Sequence, residues 1–277
     1  MVKKDNRNKG KTATREHHRP YSAQPTYGEV DENLVAGRNA VRELLSGGRD
    51  VDKIFTARGE RDGSITLLVA EAIERRIPVV EVDRKKLDDM TGGMRHQGIV
   101  ALAAERDYST VEDIISDAEE RGEDPLIVIA DEIVDPHNLG AIIRSAECAG
   151  AHGIVIPKRR ASGLTAVVAK SSAGAIEHMR IARVANLAGV VAELKEKGFW
   201  IYAADMDGTP YYETDLRGRV ALILGNEGNG IRRLLKENAD FSVSIPMYGK
   251  VNSLNVSAAA AVLLFEAARQ RRSKSNT

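Results

Sequence analysis

Residues 222–233 read LILGNEGNGIRR, an apolar run followed by three glycines in six residues and the start of a helical pattern. That layout is a strand feeding a ligand-binding loop. The stretches PLIVIAD (125–131) and VALILG (220–225) are near-continuous in apolar and β-branched residues, which marks strands buried on both faces and hence a mainly parallel sheet. Around them, strand-like and helical periods alternate. NLGAIIRSAECAGA, LTAVVAKSSAGA, NLAGVVAELKEKG and IRRLLKENA read as helices, while GIVIP, MRIARV, FWIYAADM and SVSIP read as strands. SLNVSAAAAVLLFEAARQRR is a long final helix. The fold class over residues 125–277 is therefore α/β. Ligands of such sheets sit at the carboxyl ends of strands, where loops lead into helices.

The chain ahead of this region divides by composition. Residues 1–30 are polar and aperiodic, with Lys3, Lys4, Arg7, Lys9, Lys11, Arg15 and Arg19 against Asp5 and Glu16, and are expected to be a disordered basic arm. Residues 31–105 alternate again, from LVAG and RNAVRELLSGG to IVALAAE, and describe a small α/β domain. It holds no cluster of acid, base and nucleophile, so binding suits it better than chemistry. Residues 106–124 read as a helical linker, in which Thr110 followed by Asp113 has the pattern of a capped helix start.

Of the 277 residues, 43% are hydrophobic and 29% charged, the balance of a soluble globular protein with a core. No apolar run is long enough to span a membrane, and the basic N-terminus lacks the apolar stretch of a secretory signal, so a cytoplasmic protein is expected. The single cysteine, Cys148, excludes an internal disulfide and a cysteine-rich zinc site. The six histidines show no ligand spacing, and no metal is expected. The formal net charge is zero, yet the N-terminal arm and Arg269, Arg271, Arg272 and Lys274 put basic charge at both ends. Such tails suit phosphate backbones, or are simply solvated.

Three loops carry candidate chemistry. The glycines at 225, 228 and 230 are spaced G-x-x-G-x-G, not the G-x-G-x-x-G of a dinucleotide site, and no Gly-Lys-Ser/Thr of a phosphate-binding loop follows. NAD binding and ATP hydrolysis are thereby disfavoured. Glu227 in this loop either caps the next helix or grips an arginine. In DPHNLGAIIRS (135–145), Asn138 falls where a strand gives way to a helix, a position asparagine favours as a cap. Arg144 lies six residues on, amid apolar helix positions from which arginine ordinarily snorkels outward. In IPMYGKVNSLNVS (245–257), a proline turn leads to Asn252, Ser253, Asn255 and Ser257 at a helix start, which suits an anion or carboxylate. Read more plainly, Ser253 is an N-cap and Asn255 a first-turn residue.

Taken in order, NLGAIIRSA, ILGNEGNGI and IPMYGKVNSLNVSAAAAVLLFE resemble the three motifs of the SpoU (TrmH-type) RNA ribose 2′-O-methyltransferases, and KSSAGAIEHMRIARVANL resembles the stretch between the first two. The likeness covers residues 120–272 or so. LVAGRNAVRELL resembles the start of the ribosomal-protein-like substrate-binding domain found in family members that methylate a guanosine ribose of 23S rRNA. The resemblance implies an α/β sheet with a C-terminal trefoil knot, S-adenosylmethionine as cofactor, RNA as partner, and a homodimer whose active sites draw on both subunits. It implies donor contacts from Gly225, Ile245, Met247, Leu254 and Asn255, and a catalytic set of Asn138, Arg144, Glu227, Ser253 and Asn255. Arginine keeps its proton in proteins, so Arg144 is expected to clamp substrate phosphate and stabilise developing alkoxide, with Glu227 fixing its guanidinium. Other implied readings are an rRNA adenosine methyltransferase conferring antibiotic resistance, a tRNA guanosine methyltransferase, and a non-catalytic RNA-binding assembly factor.

Overall fold

The structure is a computed structural model that describes residues 31, 33–59 and 63–272. The basic arm expected at 1–30, and Lys274 of the basic C-terminus, lie outside the described residues. Two sheets organise the chain.

The N-terminal sheet has four strands, β1 (Leu34–Ala36), β2 (Val51–Ala57), β3 (Val79–Val82) and β4 (Ile99–Ala103), in the order β1-β4-β2-β3. The β2–β3 pair is parallel and both β4 pairs are antiparallel. Helices α1 (Arg38–Ser46), α2 (Gly63–Glu74) and α3 (Arg84–Met90) connect the strands. Val41, Leu44 and Leu45 of α1 recur at helical spacing, and they bury one face with Leu68 and Ala72 of α2 against Ile54 and Ile99.

Helix α4 (Val111–Glu120) begins with the capping box that its sequence announces: Thr110 Oγ1 accepts from Asp113 N at 3.1 Å, and the Asp113 carboxylate accepts from Thr110 N at 2.7 Å. The segment read as a linker is no free spacer. Val111, Ile114 and Ile115 are buried beneath the second sheet with Ile127, Ile129 and Val155.

That second sheet has six strands, all paired in parallel: β5 (Leu126–Ala130), β6 (Gly153–Pro157), β7 (Arg180–Val184), β8 (Trp200–Pro210), β9 (Val220–Leu224) and β10 (Phe241–Ser244). Their order is β10-β8-β9-β5-β6-β7. Strands β5, β6 and β9 are buried at every position, which is why their sequences are apolar without alternation. Alternate residues feed opposite faces. Val128, Ile154 and Leu222 face α5 (Pro136–Ala149) and α9 (Val256–Arg272). Ile127, Val155 and Ile223 face α4, α7 (Leu187–Glu196) and α8 (Arg233–Asn238). The result is a three-layer α/β/α unit.

Between β6 and β7 the chain forms the short helix α6 (Ala166–Ser171) and a 3-10 turn, Ala175–Glu177. These seat the two sheets' units together. Ala166 is buried with Leu34, Ala36, Leu87 and Val100, and Lys170 Nζ donates to the carbonyl of Ala36 at 2.9 Å. The Glu177 side chain is almost wholly buried and pairs with Arg106 at 2.5 Å and with Arg49 at 3.6 Å. Among the described residues no helix is long and apolar enough to cross a membrane, and Cys148 is a free, exposed thiol.

Candidate active site

The chain runs from β5 outward through β6 to β7, then places β9 on the other side of β5. Loops leaving β5 and β9 therefore meet at the point where strand order reverses, the place where open parallel sheets bind ligands. The first turn of α5 brings Asn138, the β9–α8 loop brings Glu227, and the segment after β10 brings Asn255.

These three side chains form one hydrogen-bonded cluster. Asn138 Nδ2 donates to Glu227 Oε1 at 2.9 Å. Asn255 Nδ2 donates to the same oxygen at 2.5 Å and to Asn138 Oδ1 at 3.0 Å. One carboxylate oxygen is thus fixed by two amides from remote parts of the chain. Charge-assisted bonds of this kind are roughly twice as strong as neutral ones.

Local sequence explains how each side chain is freed for this work. Asn138 is not the helix cap: Asp135 caps α5, accepting from His137 N at 2.8 Å, and Pro136 fills the first helical position, where its missing N–H costs nothing. Asn138 is consequently buried in the first turn with its amide aimed across the sheet. At α9 the reading also shifts, because Asn255 rather than Ser253 performs the cap. Its Oδ1 accepts from Ser257 N at 2.9 Å and from Ala258 N at 3.4 Å, while its Nδ2 holds Glu227. Ser253 is exposed and makes no hydrogen bond to another described residue.

Gly225 is needed for a close approach. A Cβ there would stand 2.3 Å from Gly230 C and Ile231 N, because Asn226 and Gly230 exchange backbone hydrogen bonds and fold the loop back on itself. Asn226, which the motif reading did not single out, staples this turn. Its Nδ2 donates to Glu132 O at 2.9 Å and its Oδ1 accepts from Gly228 N at 2.8 Å. The signal for it is an asparagine opening a glycine-rich turn, where its side chain bonds the backbone two residues on. Asp131 was likewise missed. It is fully buried at the end of β5 and accepts from Arg232 N at 2.8 Å and Arg232 Nε at 2.7 Å, which anchors the far end of the same loop. An acid closing an otherwise apolar strand is its signature.

Arg144 does not join the cluster within this chain. Six helical positions turn it roughly 120° around α5 from Asn138, so it points to solvent. The expected pairing of Glu227 with Arg144 is therefore corrected for the single chain, in which Glu227 is held by Asn138 and Asn255. Ile245 and Met247 are half-buried and Leu254 is exposed, in a segment whose backbone from 246 to 254 forms no hydrogen bond with other described residues. Within it Tyr248 and Val251 are also exposed, as is Val134 just ahead of α5. Among the described residues no group of three or more His, Cys, Asp or Glu side chains is arranged to hold a metal.

Comparison with known proteins agrees with this architecture. Residues 125–265 match the SpoU rRNA Methylase family, and residues 34–109 match the domain described as RNA 2′-O ribose methyltransferase substrate binding. A putative TrmH family tRNA/rRNA methyltransferase of Bacillus subtilis (strain 168) is 46% identical over 240 residues, 86% of this chain and 96% of that one. The SpoU methyltransferase AviRb from Streptomyces viridochromogenes, crystallised in complex with the cofactor AdoMet, superposes with a TM-score of 0.72 at 27% identity, over 87% of this chain and 90% of that one. An AdoMet-bound rRNA methyltransferase from Sinorhizobium meliloti gives a TM-score of 0.71 at 27% identity, over 85% and 86%. The chain belongs to the SpoU rRNA methylase family, the SpoU/TrmH-type RNA ribose methyltransferases.

Proposed function

We propose that this enzyme transfers a methyl group from S-adenosylmethionine to the 2′-hydroxyl of a guanosine ribose in 23S rRNA. The observation that carries the reading is the Asn138–Glu227–Asn255 cluster, which joins all three family motifs at the reversal point of the sheet. The SpoU rRNA Methylase match and the rRNA methyltransferase of Sinorhizobium meliloti support an rRNA target, although the Bacillus subtilis relative carries a tRNA/rRNA name. The tRNA guanosine and rRNA adenosine readings are outcomes of the test below.

The residues present fit the donor. The 246–254 backbone offers hydrogen-bonding groups engaged by no other described residue, flanked by the apolar side chains of Ile245, Met247 and Leu254. That combination suits a ligand with a polar heterocyclic edge whose ring face and methylene groups pack on apolar side chains. Gly225, Ile245, Met247, Leu254 and Asn255 would hold S-adenosylmethionine, which when bound supplies a methyl group on a sulfonium sulfur, so that the products are a 2′-O-methyl ribose, S-adenosylhomocysteine and a proton.

A neutral hydroxyl is a poor nucleophile, so it must be aligned and must shed its proton as attack proceeds. Asn138 and Asn255 fix Glu227 Oε1, which leaves Oε2 directed away from the amides that bind the carboxylate. In a homodimer, Arg144 of the partner subunit pairs with that carboxylate, clamps a substrate phosphate and stabilises the developing alkoxide. Its solvent-facing position on α5 supports this role in trans, as do the exposed apolar residues Val134, Tyr248, Val251 and Leu254 beside the site. Ser253 is assigned to positioning the ribose hydroxyl. The C-terminal region is assigned a trefoil knot, and the enzyme a cytoplasmic location with the rRNA.

The test is methyl transfer to protein-free 23S rRNA and to tRNA, followed by mapping of the modified ribose. A methylated guanosine in 23S rRNA, abolished in Arg144→Ala, is the expected result. Modification of tRNA, or of an adenosine, would replace this reading with the corresponding alternative. A wild type that transfers no methyl group would leave a non-catalytic RNA-binding factor.

A further inference from the structure

The segment from α6 to His178 has two faces, and each grips a different part of the molecule. One face lies on α5. Ala175 and Ile176 are buried with Ile142 and Ile143 of α5, and Ser171 Oγ is 3.0 Å from His137 Nδ1, one residue before Asn138. Gly140 permits this closeness, because a Cβ there would meet Ser171 Cβ at 2.5 Å.

The other face lies on the N-terminal domain, at two separate points. At one, Ala166 is buried among Leu34, Ala36, Leu87 and Val100. At the other, Glu177 meets Arg49, which follows α1, and Arg106, which lies between β4 and α4. Arg49 Nε also donates to Ala104 O at 2.8 Å, and Arg106 Nη1 donates to Ile176 O at 3.0 Å. The two backbones close in around this point. A Cβ on Gly47 would stand 2.9 Å from Glu177 Cβ, and one on Gly174 would stand 2.4 Å from Glu43 Cγ. Beside them His178 Nε2 lies 2.9 Å from Glu43 Oε2.

The two points differ in kind. The Ala166 contact is apolar, whereas Glu177 borders a polar cavity of about 370 Å³ that also touches Gly47, Arg106, His152 and Arg180. Charge closes the seam on that side. One carboxylate, almost wholly buried, is shared by two arginines. Burial, and then the neighbouring Arg106, hold the Arg49 guanidinium below its ordinary value, and Glu177 acts against both. Without the carboxylate two largely buried cations would face each other, and that end of the seam would open. The N-terminal domain would then be held through α6 alone, free to swing about it.

We propose that Glu177 is a positioning residue for methyl transfer: by clamping Arg49 and Arg106 it holds the N-terminal domain in one orientation against α5 and Asn138. This rests on the RNA methyltransferase reading above, in which RNA carried by the N-terminal domain must reach the Asn138–Glu227–Asn255 cluster in register. Its effect is on geometry, and a misplacement of about 1 Å can cost about 100-fold in rate.

The experiment reads the clamp and the chemistry separately. Spin labels on Ala70→Cys of α2 and Glu196→Cys of α7, both exposed sites, report the separation of the two domains in a Cys148→Ser background. Glu177→Gln removes the shared charge. Arg49→Met cuts the tie to the N-terminal domain but leaves Glu177 paired with Arg106, so no buried charge is orphaned and the core stays folded. In both variants the distance distribution should broaden. With saturating protein-free 23S rRNA and S-adenosylmethionine, at a temperature where every variant is folded, kcat should fall at least about tenfold. That fall should exceed any rise in KM for rRNA, and S-adenosylmethionine affinity should stay at the wild-type value. A role in stability alone would lower the thermal midpoint and leave the kcat of folded enzyme unchanged. Distances as sharp as the wild type's in both variants, or wild-type kcat despite broadened distances, would overturn the proposal. A wild type that transfers no methyl group would instead sink the methyltransferase reading, and positioning with it, while the labels still show whether Glu177 clamps the domains.

Discussion

Asn255 Nδ2 meets Glu227 Oε1 at 2.5 Å, while the oxygen of the same amide caps helix α9 through Ser257 and Ala258. One side chain therefore ties the start of the last helix to the carboxylate at the sheet's reversal point. Its two ends are separable by mutation. Asn255→Ala removes both functions, and loss of a cap costs about 1 kcal/mol. Asn255→Asp keeps an acceptor for the cap but sets a second carboxylate against Glu227. Denaturant unfolding should show the alanine variant as the less stable of the two, whereas methyl transfer should fall at least about tenfold in both, since each loses a hydrogen bond to a charged group. Full activity in Asn255→Asp would remove Asn255 from the site.

The position of Arg144 can be tested by mixing inactive variants. If each active site combines Glu227 of one protomer with Arg144 of the other, Arg144→Ala and Glu227→Ala are each inactive. Co-refolded mixtures then contain heterodimers with one intact site. Random pairing in a two-fold dimer restores about a quarter of wild-type activity. No recovery, with heterodimers verified by mass, would place both residues in one chain's site or discard Arg144.

Gly225→Ala inserts a Cβ at 2.3 Å from backbone atoms of residues 230 and 231. Those atoms belong to main chain and cannot swing aside, so the 225–231 loop must open. Overpacking of this sort costs about 1–3 kcal/mol. Calorimetric titration with S-adenosylmethionine should show weakened binding alongside the lower stability. An alanine variant with unaltered stability and donor affinity would show that the loop is not closed as described.

The Asp131–Arg232 contact is asymmetric: the carboxylate is fully buried and the arginine is half exposed. Arg232→Ala leaves a buried carboxylate without its cation and is expected to cost about 3 kcal/mol. Asp131→Asn leaves an arginine that water can reach, and about 1 kcal/mol is expected for the weakened hydrogen bonds. Equilibrium unfolding gives the order directly. A larger loss in Asp131→Asn would reverse the account.

The Thr110–Asp113 capping box carries a pH signature. The Thr110 backbone N–H, and then its side chain, hold the Asp113 carboxyl below the usual carboxylate range. A folded-state value below the unfolded one means that the box stabilises the protein above the unfolded value, and that this is lost as pH falls through the folded value. The stability difference between wild type and Asp113→Asn should therefore be full at neutral pH and shrink in acid. A difference that stays constant from neutral pH into acid would exclude the ionised box.

Much of the architecture could be read from local pattern. Strands β5 and β9 are apolar at every position because both faces are covered, and Thr110 with Asp113 acts within four residues. Helix caps were read less well, because two residues competed for each role. Asp135 followed by Pro136 takes the cap that Asn138 was expected to hold, and Asn255 takes the one assigned to Ser253. At both helix starts the backbone geometry of the turn, not the presence of a polar residue nearby, decides which side chain reaches the free N–H groups.

By itself the sequence determined the α/β alternation, the parallel strands, the positions of the loops and the family to which the motifs belong, since each depends on periodicity or on contiguous residues. Only the tertiary structure decided which side chains face one another. Asn138 and Glu227 are 89 positions apart, and Lys170 and Ala36 are 134 apart. Their meeting follows from strand order and from how far each side chain has turned about its helix. The same rotation that aims Asn138 at Glu227 carries Arg144 to the solvent face of α5.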